Sequence, residues 1–296
     1  MSRKQVSLAE TVFQVCNYTF LVAISLSFVV PFLVVLSSSL VSESELIRRG
    51  NLILLPQHFD FTAYKVLLSK GSTIYNAYGI TLLRVTVGTF LNLLLTSMMA
   101  YGLSRKGLPG RNGFITLVFI TMLIGGGLIP TYLLLKGLQL LDTFWVMILP
   151  GLISAWNLII MRNFFMQIPV EMEESATIDG ASPFGILVRI VLPLSLPTFA
   201  TIGLFYAVGH WNAWFDATIY INNTRLQPLQ VILRQIVLSM TSEELNTAMM
   251  VGMMEKPTAQ SLKAAVIIIT TLPILCVYPF LQKHFAKGVL TGSIKG

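Results

Sequence analysis

Long charge-free hydrophobic runs dominate this chain: Thr11 to Ser42, Val85 to Ser104, Asn112 to Leu135, Thr143 to Met161, Ile190 to Phe215 and Ala264 to Gln282. A helix rises about 1.5 Å per residue, so crossing about 30 Å of hydrocarbon takes roughly 19 or more residues, and each run reaches that length. Composition agrees, with 54% hydrophobic residues, only 11% charged and a mean hydropathy of +0.75; ordinary soluble domains carry roughly a quarter charged. The chain reads as an all-α polytopic membrane protein. One transmembrane domain over residues 1–296 is expected, with spans at about 12–37, 76–103, 113–135, 143–165, 194–215 and 264–284.

An even number of spans puts both termini on one side. All Lys and Arg counted by side nearly tie, but short loops decide orientation. The link after span two carries Arg105, Lys106 and Arg111, whereas the link after span three carries only Lys136. Arg3 and Lys4 precede span one, and Lys283, Lys287 and Lys295 follow span six. The expectation is a multi-pass protein of a bacterial cytoplasmic (inner) membrane with both termini in the cytoplasm and external loops at 42–74 and 216–262. The first run is too long for a cleavable h-region and lacks a small-residue cleavage site, so it is expected to stay as an anchor. Cys16 and Cys276 fall within predicted spans, which points to packing and away from a disulfide or metal site. The net charge of +7 and pI near 9.5 come from basic residues scattered around the spans. Without a basic, aromatic-interleaved face, lipid and topology explain them better than nucleic acid.

Several residues disturb the runs. Gly125, Gly126, Gly127 and Pro130 would strip a helix of backbone partners, so that stretch should pack on protein or line a wet cavity. Pro150 and Asn157 sit in span four, and Asn157 is either an interhelical hydrogen-bonding residue or a ligand contact. Arg84 is basic near the middle of a hydrophobic region, where charge marks function by default, although snorkelling to the outer surface is the bland alternative. His210, Trp211, Asn212 and Trp214 close span five, either as an interfacial aromatic belt or as a sugar-facing or gate-facing group. Arg84, Asn157, Trp211, Asn212 and Trp214 are therefore the candidate substrate-pathway residues. Leu229, Ile232, Leu233, Ile236, Val237 and Met240 recur at helical spacing, an external amphipathic helix suited to docking.

The segment 169–193 interrupts this pattern with Glu171, Glu173, Glu174 and Asp179. Acidic residues do nothing to anchor a loop to anionic lipid, so a protein partner is the better reason for them. Helical signals divide the segment in two. A first helix runs from about Glu171 to Ile178, its early carboxylates suiting the positive end of the dipole, with Gly180 as the stop. Ser182 and Pro183 form an N-cap and first-position pair for a second helix that ends at Leu192, before Pro193. A plain cytoplasmic hairpin fits this capping chemistry equally well.

The spacing is more specific. Glu174, Ser175 and Ala176, then three residues, Gly180, nine residues, Ile190, one residue, Leu192 and Pro193 resemble the EAA loop of ABC-importer permeases, with Ser175 replacing the second motif residue. Ala100 to Arg105, Gly126 to Pro130, Ile178 to Ala181, Trp211 to Trp214, Tyr278 to Lys283 and the tail Gly288 to Gly296 extend the likeness over nearly the whole chain. It is similar to the carbohydrate-uptake branch, the MalG-like and especially the LplC-like permeases. The resemblance implies a type I importer architecture with a cytoplasmic coupling helix pair. Its ATPase-coupling residues would be Glu171, Glu174, Ser175, Ala176, Asp179, Gly180, Ile190, Leu192 and Pro193. Gly292, Ser293, Lys295 and Gly296 would form a tail reaching between ATPases. Implied partners are a second homologous permease, two ATPase subunits or a dimer of one, and an extracytoplasmic solute-binding protein.

ATP and magnesium would then belong to the ATPases, with no cofactor on this chain. In agreement, no lysine here is followed by Ser or Thr, so the phosphate-binding end of a P-loop is absent and the chain is not expected to be an enzyme by itself. The likeness and the excess positive charge point to an acidic oligosaccharide such as a uronate oligomer, with a neutral malto-oligosaccharide as the alternative cargo. A secondary transporter would need midplane carboxylates, and none falls inside the six runs. A membrane enzyme would need a clustered catalytic set, yet His58, His210 and His284 are dispersed.

Overall fold

A computed structural model describes residues 8–50, 53–69, 72–239 and 258–293, and every regular element among them is helical. The chain divides into two compact units, Met1–Ser72 with Gln235–Thr271, and Thr73–Arg234 with Leu272–Gly296.

In the first unit, α1 (Leu8–Ser38) is exposed at every residue from Ala9 to Leu33. Phe13, Phe20 and Phe28 are each 63–70% exposed. So long an apolar surface is incompatible with water and suits burial in a bilayer or against another chain. Two short helices follow, α2 (Glu43–Arg49) and α3 (Thr62–Leu67), around a small cluster of Val41, Leu46 and Ile53. Glu45 is buried and organises this region: its Oε1 accepts the Gln57 backbone N–H at 2.9 Å and pairs with Arg49. The Ser39 and Tyr64 hydroxyls meet at 2.7 Å. The stretch read as an external loop is thus a folded piece with its own polar contacts.

The second unit is built on α4 (Thr73–Ser104), α7 (Ala155–Phe165) and α11 (Leu196–Asn212). Ala100 and Leu103 of α4, Leu158, Met161 and Phe165 of α7, and Ile202 and Tyr206 of α11 share one buried cluster. Between α4 and α7 lie α5 (Arg111–Leu123), α6 (Leu128–Gly137) and two 3-10 turns, Phe144–Met147 and Leu149–Gly151. Beyond α7 come α8 (Val170–Ile178), α9 (Pro183–Ile186), a π-helical turn Leu187–Val191 and α10 (Leu192–Leu194). After α11 follow α12 (Phe215–Tyr220), a 3-10 turn at Thr224–Leu226 and α13 (Leu229–Ser239). The last helix, α14 (Ala259–Ser293), contributes to both units.

Two of the six expected spans are bent, and a third bend sets the second helix of the acidic segment against α11. The α5–α6 pair turns by 113°, the 3-10 stretch and α7 by 51°, and the Pro183–Leu194 run and α11 by 91°. Residue chemistry accounts for the break between α5 and α6 and for the π turn before Pro193. Gly127 has φ +82°, a left-handed conformation that glycine adopts without penalty, and Pro130 then sits in the first turn of α6, where its missing N–H breaks no bond. Pro193 has no N–H, and its ring collides with the carbonyl four residues back in a regular α-helix. The preceding turn instead widens into the π form. The second helix of the acidic segment therefore continues through Pro193 to Leu194 and does not end at Leu192.

Candidate functional site

Bent spans leave backbone groups without helical partners, and lipid supplies none. At the break ahead of α7 the partners come from α4. Thr81, Arg84, Gly88, Asn92 and Thr96 recur every three or four residues, which places them on one helix face. Thr81 and Arg84 are 1% and 2% exposed, and Asn92 and Thr96 are fully buried. Arg84 donates to both Asp216 carboxylate oxygens, to the Met147 carbonyl at 3.2 Å and to the Ala213 carbonyl at 3.5 Å. The Asn92 amide donates to the Gly151 and Leu152 carbonyls, each at 2.8 Å. Its oxygen faces His210 Nε2 at 2.7 Å. Thr96 meets the Tyr206 hydroxyl at 2.7 Å, and that oxygen accepts the Ser154 N–H at 3.1 Å. Met147, Gly151, Leu152 and Ser154 lie in the non-α entry to α7, and Ala213 directly follows α11. The polar stripe of α4 thus replaces hydrogen bonds that the break ahead of α7 removes. Gly88 completes it: a Cβ there would stand 2.4 Å from His210 Nε2, so glycine is what lets the imidazole cross α4 to Asn92.

Against this stripe lies a cavity of about 540 Å³ whose polar lining is Arg84, Ser154, Asn157, Tyr206, His210, Asp216 and Tyr220. Hydroxyl, amide and imidazole groups around an internally neutralised ion pair suit a solute rich in hydroxyl groups better than an apolar one.

A second arrangement is built from the acidic segment. Gly180, at φ +82°, closes α8: its N–H donates to Thr177 O at 3.0 Å and the Ala181 N–H to Ala176 O at 2.9 Å. Ser182 Oγ accepts the Gly185 N–H at 3.2 Å and starts α9. Ala176, Ala181, Ile190 and Leu192 pack on the cluster shared by α4, α7 and α11. Glu171, Glu174, Ser175, Asp179 and Pro193 face outward, as do Val170, Met172, Ile178 and Phe184, which are 45–87% exposed. Glu173 turns the other way. It is 7% exposed and pairs with Arg105, whose guanidinium lies 4.2 Å from the Tyr101 ring centroid. A cavity of about 1060 Å³ opens between this segment, Ser104 to Gly107 and Phe165 to Ile168.

The model of one known family, the binding-protein-dependent transport system inner membrane component, matches residues 7–291. The chain belongs to that permease family. The permease is 48% identical to Protein LplC of Bacillus subtilis (strain 168) over 97% of this chain and 96% of that one. It is 46% identical to the polygalacturonan/rhamnogalacturonan transport system permease protein YtcP of the same organism, over 96% and 98%. A chain in the crystal structure of a bacterial ABC transporter involved in import of the acidic polysaccharide alginate superposes with a TM-score of 0.87 at 30% identity, covering 94% of this chain and 98% of that one. The permease is thus a membrane-integral component of a sugar or oligosaccharide ABC importer.

Of the pathway candidates named from the permease sequence, Arg84 and Asn157 line the 540 Å³ cavity. Arg84 does not snorkel. It is buried and pinned by Asp216, which belongs to α12 although the sequence placed it at the start of a loop. Trp211 instead stands edge-on to Tyr78 at 5.9 Å, and the Asn212 amide donates to Val208 O at 3.0 Å within its own helix. Trp214 lies under the Arg234 guanidinium at 3.8 Å. Asn92, Thr96, Tyr206, His210 and Glu173 were not singled out from sequence for these contacts. The regular polar spacing inside span two was the available signal for the first two. Cys16 and Cys276 are free and exposed on α1 and α14, not packed in a protein core. Gly292 and Ser293 end α14, whereas Lys295 and Gly296 lie outside the described residues. No group of three or more His, Cys, Asp or Glu among the described residues is placed to hold a metal ion.

Proposed function

We propose that the permease is the transmembrane subunit of an ATP-driven, binding-protein-dependent importer of acidic oligosaccharides, with segment 169–193 as its coupling element. It would sit in the bacterial cytoplasmic membrane with both termini inside, beside a second homologous permease. Two ATPase subunits, or a dimer of one, would carry ATP and magnesium on their own residues, and this chain would hydrolyse nothing.

The observation that carries the reading is the two-sidedness of α8 and α9. Their inner face is fixed by Glu173, Ala176 and Ala181, while Met172, Ile178 and Phe184 stand exposed beside Glu171 and Glu174. An exposed apolar patch rimmed by charge is the surface chemistry of a protein docking site. Closure of the ATPases would push this held pair as a body and rock the spans between inward-open and outward-open states. Gly292, Ser293, Lys295 and Gly296 would reach between the ATPases, and residues Thr241 to Glu255, which lie outside the described residues, would touch the binding protein.

Gly180→Asp and Glu174→Lys test the coupling assignment. Each should leave membrane insertion intact and abolish substrate-stimulated ATP hydrolysis in the assembled complex; normal coupled uptake in either would refute it. For cargo, the permease resembles one protein named for polygalacturonan and rhamnogalacturonan and another that imports acidic alginate, which supports an acidic oligosaccharide. A neutral malto-oligosaccharide is favoured by one feature, the pairing of Arg84 with Asp216 inside the cavity. A panel of uronic and neutral oligosaccharides, scored by stimulated ATPase rate in the complex with its binding protein, decides between them.

A further inference from the structure

We propose that the Arg105–Glu173 ion pair, stacked on Tyr101, joins α8 to span two so that the two move as one body. This rests on the coupling role proposed for segment 169–193. Of the three glutamates in α8, Glu171 and Glu174 face outward and only Glu173 is buried. Its partner follows directly on Ser104, the last residue of α4, so the guanidinium position reports the end of that helix. The end is itself fixed: the Leu103 carbonyl accepts Arg111 Nε at 2.9 Å and Arg162 Nε at 3.0 Å. Tyr101, one turn back on α4, supplies the ring under Arg105, and its hydroxyl lies 3.5 Å from Glu173 Oε2.

Two further facts separate a transmitting link from an inert staple. First, α4 runs uninterrupted for 32 residues. The helix that ends just before Arg105 therefore also carries Thr96, Asn92 and Arg84, the last about 30 Å away at 1.5 Å per residue. Displacing α8 would move the stripe that holds the break ahead of α7 and carries Arg84 of the 540 Å³ cavity. Second, the pair is incompletely satisfied. Glu173 Oε1 and Arg105 Nε and Nη2 are buried without a hydrogen-bond partner among the described residues, and Arg105 and Glu173 line the 1060 Å³ cavity next to α8. A partly satisfied polar network is sensitive to what enters beside it, so the strength of the link responds to occupancy of that cavity.

The test uses the complete transporter in proteoliposomes, with its second permease, ATPases and binding protein, and oligogalacturonate or oligoalginate as the probe. Arg105→Glu and Glu173→Arg are made singly and together, with Glu173→Gln as a milder variant should a reversal fail to fold. Each single change, Glu173→Gln included, is expected to lower the ratio of stimulated to basal ATP hydrolysis at least tenfold while the ATPases still co-purify. The double reversal should restore the ratio to within about threefold of wild type. A merely structural pair would change yield or melting temperature and leave that ratio alone. Singles with a normal ratio, or a double reversal as uncoupled as the singles, overturn the link while leaving the importer reading intact. A wild-type complex that never binds or stimulates an ATPase overturns both, and Gly180→Asp separates the cases by uncoupling only if the importer reading holds.

Discussion

Replacing Asp216 by Asn should destabilise the permease more than removing Arg84, although both changes break the same pair. The reason lies in exposure: the Arg84 side chain is 3% exposed and that of Asp216 29%. Without the carboxylate, Arg84 is a nearly fully buried cation left with neutral acceptors, the Asn amide oxygen and the Met147 and Ala213 carbonyls at 3.2 and 3.5 Å. Removing one partner of a buried pair costs about 3–5 kcal/mol, and discounting for the partial exposure of Asp216 leaves about 2–4 kcal/mol. Arg84→Met removes the buried charge and leaves a carboxylate that water can reach. Its cost is the two carbonyl contacts, near 0.6 kcal/mol each by the membrane average, plus a weakened Asp216, about 1–2 kcal/mol in all. At roughly 2–4 °C per kcal/mol, Asp216→Asn should lower the melting temperature by about 5–15 °C and Arg84→Met by about 2–8 °C. The combined variant should resemble Arg84→Met, because no charge is then stranded. The assay is thermal unfolding of the detergent-purified protein followed by size-exclusion retention. Equal losses in the two single variants, or simple additivity in the double, would refute the reasoning.

Three other changes probe the same physics. Gly88→Ala places a Cβ 2.4 Å from His210 Nε2 and should cost about 1–3 kcal/mol through overpacking; a melting temperature within 1 °C of wild type would show that His210 does not need that crossing. Tyr206→Phe removes the hydroxyl between Thr96 and the Ser154 N–H and should cost about 1–3 kcal/mol as buried polar groups lose their partner, read in the same assay. The Glu45 carboxyl is held below its ordinary value of 4.5, chiefly by the Gln57 backbone N–H, with burial opposing and Arg49 assisting. Because the folded value is depressed, the contribution of Glu45 is present above about pH 4.5 and lost as pH falls through the lower folded value. Hydrogen exchange at the Gln57 amide, corrected for intrinsic rate, should accelerate across that window in the wild type and show no such step in Glu45→Gln.

The apolar runs, the glycine and proline breaks and the two-helix form of the acidic segment were all legible along the chain, because each depends on residues within a few turns of one another. Transfer to lipid adds up residue by residue, and a cap or a left-handed glycine acts within its own turn. Pairing does not work that way. Arg84 and Asp216 are 132 positions apart, and Asn92 finds the carbonyls of Gly151 and Leu152 only because α7 and its 3-10 entry lie across α4. Glu173 and Glu174 are neighbours of one chemistry, yet one is buried on Arg105 and the other faces outward; helical phase separates their faces, and packing against α4 selects the buried one. Trp211 and Trp214, alike in sequence as a belt or a sugar platform, went to Tyr78 and Arg234. A buried polar group in a membrane is decided by what stands opposite it, and that is a property of two segments, which no reading along one of them contains.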